Sequence, residues 1–127
     1  MPHLTIDYSA NLEQVIDVAA LCDCVRCAAI DTGVFPMPGV RVRAFAATHV
    51  SIADGNAAHG YVDINVRLRA GRTTAAKSRA IEAIFEAARR FLEPAMQDNP
   101  IALSTEIRDI HPSLSPKCGT IRDHLQE

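Results

Sequence analysis

The order strand, helix, strand occurs twice in this chain of 127 residues, and that repetition constrains the fold more than any other feature of the sequence. Residues 4–8 and 40–45 alternate apolar and polar residues, which is the pattern of half-buried strands. Between them, apolar residues recur at helical spacing over 15–29. The first half therefore predicts a strand, a helix and a second strand that carries Arg41 and Arg43 on the same face.

Local signals set the expected bounds of the first helix. Asn11 and Gln14 have the spacing of a capping box, and Gly33 ends the apolar pattern. We therefore expect a helix of about five turns that begins after Asn11.

The second half repeats the same order. Residues 62–69 alternate apolar and polar side chains in the clearest strand pattern of the chain, and 101–110 follow as a fourth strand. Between these strands, Thr73 or Thr74 can cap a helix with a single apolar stripe. We expect the proline-containing stretch 94–100 to end that helix.

Two such units predict an α+β domain in which duplicated βαβ units form a four-stranded mixed sheet with two helices on one face. We expect a single domain over 1–127, with pseudo-repeats at about 2–50 and 60–110 and a C-terminal arm over 111–127. The opposite sheet face would be uncovered and carry Val, Ile or Phe among polar residues, so we expect a homo-oligomer. The arm could pack on a neighbouring subunit or fray as a tail.

Charge and hydropathy exclude several classes of partner. The formal net charge is -2 and no run of like charges occurs, which argues against nucleic-acid binding and against attraction to a membrane surface. The start of the chain lacks the basic and apolar segments of a secretory signal, and no apolar run is long enough to span a bilayer. These features favour a cytoplasmic location and small-molecule or self-association partners.

Pro2 is the candidate catalytic base. A small second residue permits removal of Met1, which would turn the Pro2 nitrogen from an amide into a secondary amine. An α-amino group titrates at about 7.7–8.0 in short peptides, and burial or nearby cations lower that value towards the operating pH that a general base requires. Because Pro2 runs directly into the first strand, the amine would be positioned rather than mobile.

Arginines at strand and turn positions are the candidate ligands for an anionic substrate. Arg41 lies in the second strand, and Arg72 lies in the turn before the second helix. A guanidinium group binds a carboxylate through two parallel hydrogen bonds and can also stabilise an enolate-like oxygen. Solvated surface arginines are the alternative interpretation of each.

Several short motifs, in order and over nearly the whole chain, resemble the 5-carboxymethyl-2-hydroxymuconate isomerase family of the tautomerase superfamily. They are Pro2-His3-Leu4-Thr5-Ile6, Thr32-Gly33-Val34-Phe35-Pro36, Gly39-Val40-Arg41-Val42-Arg43, Ile52-Ala53-Asp54-Gly55, Ala70-Gly71-Arg72, Leu103-Ser104-Thr105-Glu106-Ile107 and His111-Pro112.

The resemblance implies a tautomerase-like homotrimer that needs no cofactor and no metal. It implies a 1,3-proton shift on a carboxylated dienol, 5-carboxymethyl-2-hydroxymuconate, formed during homoprotocatechuate (4-hydroxyphenylacetate) degradation. In that family the N-terminal proline takes the hydroxyl proton and returns one at carbon, while arginines hold the carboxylates. Pro2 matches the proline, and Arg41 and Arg72 match the arginines. Arg43 also matches as a substrate-binding residue.

Two alternatives to this enzyme remain open. The first is another tautomerase-superfamily activity, on a shorter dicarboxylate or as a dehalogenase-like hydration. The second is a non-catalytic binding oligomer of the same fold, which retention of Met1 would produce because the Pro2 nitrogen would then be an amide.

The cysteines offer a further alternative, a metal or redox site at Cys22, Cys24 and Cys27. On a helix, Cys22 and Cys24 point about 200° apart and do not converge on one ion. A fourth ligand would have to come from Cys118 or a distant histidine. We favour free thiols that are buried or half-buried. The five histidines have no ligand spacing, and strand alternation places His3 on the sheet face opposite Pro2.

Overall fold

The computed structural model describes residues 2–125 and contains four strands and two long helices. The strands are β1 (His3–Ser9), β2 (Arg41–Ala47), β3 (Gly60–Arg69) and β4 (Ile101–Ile110), and the helices are α1 (Val18–Asp31) and α2 (Thr74–Asp98). Three short 3₁₀ turns cover Ala10–Gln14, Met37–Gly39 and Ile121–His124. The element order is that of two consecutive βαβ units, as the sequence predicts.

The four strands form one mixed sheet in the order β2-β1-β3-β4. Each βαβ unit contributes a parallel pair, β1 with β2 and β3 with β4, while β1 and β3 join the units in antiparallel orientation. Consequently the starts of β1 and β2 lie at the same end of the sheet as the ends of β3 and β4. His3 is paired there with Arg41 on one side and with Arg67 on the other.

The hydrophobic core lies between this sheet and both helices. Alternate residues of β1 and β3 form one cluster with residues of the two helices, so both helices cover the same face of the sheet. Among the fully buried side chains are Leu4, Ile64, Leu21 and Ile84. The expected two-layer α+β fold is confirmed.

The first helix begins later than the capping-box pattern predicts. Its N-cap is Asp17, whose carboxylate accepts a hydrogen bond of 3.0 Å from the Ala20 backbone N–H. The helix has 14 residues, about four turns instead of five. Asn11 lies in the preceding 3₁₀ turn, where its side-chain amide donates to the His59 carbonyl at 2.9 Å. Its role is to hold the loop that precedes β3.

The second helix continues through Pro94, which was expected to contribute to its end. Pro94 has no N–H to donate to the carbonyl one turn earlier, but it lies on the exposed side of α2, where water can bind that carbonyl. The helix ends instead at Asp98, before Asn99 and Pro100. At its start Thr73 is the N-cap and accepts a hydrogen bond of 3.1 Å from the Ala76 N–H.

The sheet face away from the helices is mostly polar, and of the Val, Ile or Phe expected among its residues it carries the exposed Phe45 on β2 and Ile110 on β4. The Val and Ile side chains of β1 and β3 point to the helices, and the uncovered face carries Asp7, Tyr61, Asp63 and Asn65 instead. The Tyr61 hydroxyl donates to the Asp7 carboxylate at 2.7 Å, which raises the pKa of Tyr61 to about 12.

The segment after β4 stays at the end of the sheet at which β1 starts. Lys117 and Ile121 line a cavity there together with Pro2, so part of the proposed C-terminal arm packs near the N-terminus of the same chain. Residues 126 and 127 of that arm lie outside the described residues, as does Met1. No helix within residues 2–125 is both long and apolar enough to cross a membrane.

Candidate active site

A cavity of about 290 Å³ opens at the end of the sheet where β1 and β2 begin and β3 ends. Pro2, Arg41 and Arg72, which are far apart in sequence, all line it. The structure thus brings together three of the four residues that the sequence indicates. The fourth, Arg43, does not belong to the lining of this cavity.

Pro2 is held in place by the parallel pairing of β1 and β2. Its carbonyl accepts a hydrogen bond of 3.2 Å from the Arg41 backbone N–H, and its side chain is buried. The ring therefore has a defined position beside the first residue of β2. Removal of Met1 concerns a residue outside the described ones, so the free amine stays a prediction.

Arg72 is positioned by contacts with both halves of the chain. Its Nη1 donates to the Arg69 carbonyl at 3.2 Å, and its Nη2 donates to the Val34 carbonyl at 3.1 Å. Gly71, with φ of +117°, makes the turn that allows this placement. Since a guanidinium group has five N–H donors, two bonds to backbone leave others for a ligand.

The Val34 carbonyl is itself held by a turn after α1. The Thr32 hydroxyl donates to the Ala29 carbonyl at 2.7 Å and accepts from the Val34 N–H at 3.2 Å. Phe35 follows with only 4 % of its surface exposed and forms an apolar wall of the cavity. The motif of 32–36 thus has a physical role, to support Arg72 and one side of the site.

Arg41 and Arg43 lie on the same face of β2, as predicted, but differ in their contacts. Arg41 lines the cavity and donates from Nη1 to the Gly39 carbonyl at 3.0 Å. The Nη1 of Arg43 lies 3.2 Å from Nδ1 of His3, one residue beyond Pro2 on the opposite sheet face. Arg43 is therefore next to His3 and not beside Arg72, so a direct substrate contact from it is not supported within one chain.

The cavity is also lined by three cations that the sequence patterns did not indicate: Arg69, Lys117 and Arg122. Arg69 is the last residue of β3 and precedes the turn of Arg72, a position that could have marked it. Lys117 and Arg122 come from the irregular segment after β4, where no periodic pattern indicates a position in space.

The electrostatic character of this cavity is uniform. Its lining includes five cationic side chains and no Asp or Glu, alongside apolar residues such as Phe35 and Leu68. Cations concentrated on a partly apolar wall attract carboxylates and strengthen hydrogen bonds to them. The arrangement suits an anionic molecule with an apolar carbon skeleton.

The cysteine motif has no comparable geometry. Cys22 and Cys24 are half-buried, while Cys27 and Cys118 are exposed, which contradicts the expectation of burial for the latter two. Burial raises the pKa values of the Cys22 and Cys24 thiols, which disfavours the thiolates that metals bind. Within residues 2–125, no three His, Cys, Asp or Glu side chains form a group that could hold a metal ion.

Comparison with known proteins identifies relatives along the whole described chain. The family model of 5-carboxymethyl-2-hydroxymuconate isomerase matches residues 2–125. A 5-carboxymethyl-2-hydroxymuconate Delta-isomerase of Escherichia coli is 31% identical over 121 residues, which make up 95% of this chain and 96% of that protein. A crystal structure of a 5-carboxymethyl-2-hydroxymuconate delta-isomerase matches with a TM-score of 0.92 and 34% identity, covering 100% of this chain and 94% of the other.

More distant structures share the fold alone. One is a fused 4-OT described as a wild-type symmetric trimer, with 20% identity and a TM-score of 0.65, covering 89% of this chain and 91% of the other.

Proposed function

This chain belongs to the 5-carboxymethyl-2-hydroxymuconate isomerase family, with the fold of the tautomerase superfamily, and from that premise we propose how its site works. The enzyme is an isomerase. We propose that it converts 5-carboxymethyl-2-hydroxymuconate to its keto isomer in homoprotocatechuate degradation, with Pro2 as general base. The observation that carries this proposal is the meeting of Pro2, Arg41 and Arg72 in one cationic cavity.

The proposed base is the amine that Pro2 gains when Met1 is removed. A buried amine surrounded by cations is favoured in its neutral form, which can accept a proton. It takes the proton from the substrate hydroxyl, whose oxygen becomes a carbonyl as the conjugated double bonds shift. The protonated amine then returns a proton to carbon, so the base is regenerated within one turnover.

In this proposal the arginines bind and orient the substrate. Arg72, fixed by two backbone carbonyls, presents its remaining N–H groups at a defined angle, and Arg41 does so from the start of β2. Either can pair with a carboxylate or stabilise the oxygen on which negative charge develops. The proton transfer uses only the amine and the conjugated substrate.

We propose a homotrimer in the cytoplasm as the working form. The uncovered sheet face carries hydrogen-bonded polar pairs, among them Ser104 with Asp63 at 2.7 Å and Arg108 with Asn65 at 3.1 Å. Such a face can join subunits through polar contacts, and the fused 4-OT of the same fold, which is described as a trimer, supports three subunits. In a trimer Arg43 could approach a neighbouring site, where its predicted role as a substrate-binding residue would apply.

The test is enol-to-keto kinetics with matched variants of the form that lacks Met1. Pro2→Ala should lower kcat strongly because a primary amine on a less restrained residue replaces the proline base. Arg41→Ala and Arg72→Ala should mainly raise KM, by about tenfold or more, because a charged hydrogen bond to a carboxylate is lost. Unchanged kinetics in the Pro2 variant would refute the mechanism. No turnover of any dienol dicarboxylate by wild-type enzyme would favour a binding oligomer.

A further inference from the structure

We propose that a second cavity, adjoining that of Pro2, is an anion subsite that holds the carboxylate of the substrate's carboxymethyl arm. The inference rests on the proposed function and extends it by assigning a place to the third carboxylate of the substrate. This cavity has a volume of about 350 Å³ and lies where β3 and β4 end. Its polar lining includes His3, Arg67, Arg69, His111 and Lys117.

The charge of this lining is entirely positive. Arg67, Arg69 and Lys117 contribute three permanent cations, and no Asp or Glu belongs to the lining. Within residues 2–125, carboxylates form ion pairs with other cations, and none lies within ion-pair distance of these three side chains. Grouped cations without a protein carboxylate are arranged for an anion from outside the chain.

Both histidines are held so that each presents a donor. Nδ1 of His3 lies 3.2 Å from the Arg43 guanidinium, which has only donors, so Nδ1 must accept. Nδ1 of His111 accepts from the backbone N–H groups of Ser113 at 3.2 Å and Leu114 at 3.1 Å. In each neutral ring the proton is therefore on Nε2, where it can be donated to an anion.

The electrostatics of His3 agree with this arrangement. Burial, followed by the charges of Arg67, Arg43 and Arg41, lowers the pKa of His3. Burial and the surrounding positive charge thus both favour the neutral ring, and these arginines have no carboxylate counter-ion within residues 2–125. A bound carboxylate would supply that counter-ion.

The two cavities share part of their lining. Arg69 and Lys117 line both, and Pro2 and His3 are adjacent residues that line one cavity each. In this proposal a single molecule places its enol beside Pro2 and extends an arm towards His111. The compound named by the family has two carboxylates on its muconate chain and one on its carboxymethyl arm, so the adjoining cavity matches the additional charge.

The test compares two substrates in two subsite variants and one control. The substrates are 5-carboxymethyl-2-hydroxymuconate and 2-hydroxymuconate, the same dienol without the arm. Arg67→Gln removes a cation, and His111→Asn removes the Nε2 donor while its amide oxygen can still accept from the backbone. Arg79→Gln is the control, because it removes the same charge at an exposed position of α2 that lines neither cavity.

We expect each subsite variant to raise KM about tenfold for the tricarboxylate and less than twofold for 2-hydroxymuconate, as loss of a charged hydrogen bond implies. The control should change neither KM by more than twofold. An equal loss with both substrates would mean a structural or interface role, and no loss with either would mean no subsite. Both results overturn the proposal.

A binding experiment separates this proposal from the proposed function. If wild-type enzyme turns over neither dienol, the proposed function fails, and the His111 ring resonances are then followed during titration with tricarballylate, glutarate and inorganic phosphate. Shifts that saturate with the tricarboxylate at concentrations where glutarate and phosphate have little effect support the subsite. Equal shifts with phosphate would show a site for free inorganic anions and overturn it.

Discussion

Replacing Thr73 by alanine should destabilise the protein, whereas the same change at the neighbouring Thr74 should not. Both side chains are exposed at the start of α2, and only Thr73 accepts the hydrogen bond of 3.1 Å from the Ala76 N–H. Loss of an N-cap threonine costs about 1 kcal/mol of unfolding free energy. Inside the helix, Thr74→Ala gains up to about 0.5 kcal/mol because alanine is the better helix former.

The two variants should therefore differ by about 1.5 kcal/mol, with Thr73→Ala the less stable. The assay is urea unfolding followed by far-UV circular dichroism, at one protomer concentration because the stability of an oligomer depends on it. The slope with urea should be the same for both variants. Equal losses, or a larger loss for Thr74→Ala, would refute the assignment of the cap. Since Thr73 follows Arg72 directly, KM should rise in Thr73→Ala only.

Three further substitutions test the roles of Arg72, Gly71 and His3. Arg72→Lys keeps the charge but loses the planar guanidinium that donates to two backbone carbonyls, so KM should rise about tenfold. The control is Arg79→Lys at an exposed position of α2, which should leave the kinetics unchanged. Gly71→Ala should lower the free energy of unfolding in urea by about 1–3 kcal/mol. Nothing lies within 4 Å of the added Cβ, so this loss comes from backbone strain at φ of +117° and not from a clash. An unchanged urea midpoint would contradict this. The pKa of His3 is lowered from its ordinary value of 6.5, mainly by burial, so the folded state binds fewer protons at this ring than the unfolded chain does. The free energy of unfolding therefore falls as the pH drops below about 6.5. His3→Asn should flatten this slope in urea titrations below about pH 6.5, and an unchanged slope would exclude His3 as its source.

The fold could be predicted from the sequence because its strands and helices bury one face each. Residues 62–69 alternate strictly and lie within β3, and the fourth strand has the predicted bounds of 101–110. The predicted helix bounds were wrong where tertiary contacts or solvent exposure, and not local sequence signals, determined the structure. Asn11 has the chemistry of a helix cap, yet its amide serves a loop 48 residues later. Pro94 was expected to contribute to the end of α2, but the helix continues through it to Asp98. The carbonyl one turn earlier, which loses its N–H partner at Pro94, is exposed and can bind water instead.

The candidate site was predictable only in part. Pro2, Arg41 and Arg72 stand at strand or turn positions whose location follows from the topology, and the structure brings them to one cavity. Lys117 lies in a segment without periodicity, so nothing in the sequence indicates that it returns to Pro2. For Arg43, strand alternation predicts the correct face of β2, but nothing in the sequence predicts that its side chain contacts His3.

The central claim is that the secondary amine of Pro2 is the base, and two forms of the protein that differ only in Met1 test it most directly. Each form is verified by intact mass and assayed for enol-to-keto conversion of 5-carboxymethyl-2-hydroxymuconate across pH. We expect turnover in the form that begins at Pro2, with kcat/KM rising as the amine loses its proton, and almost none in the form that retains Met1. Equal activity of the two forms would contradict it.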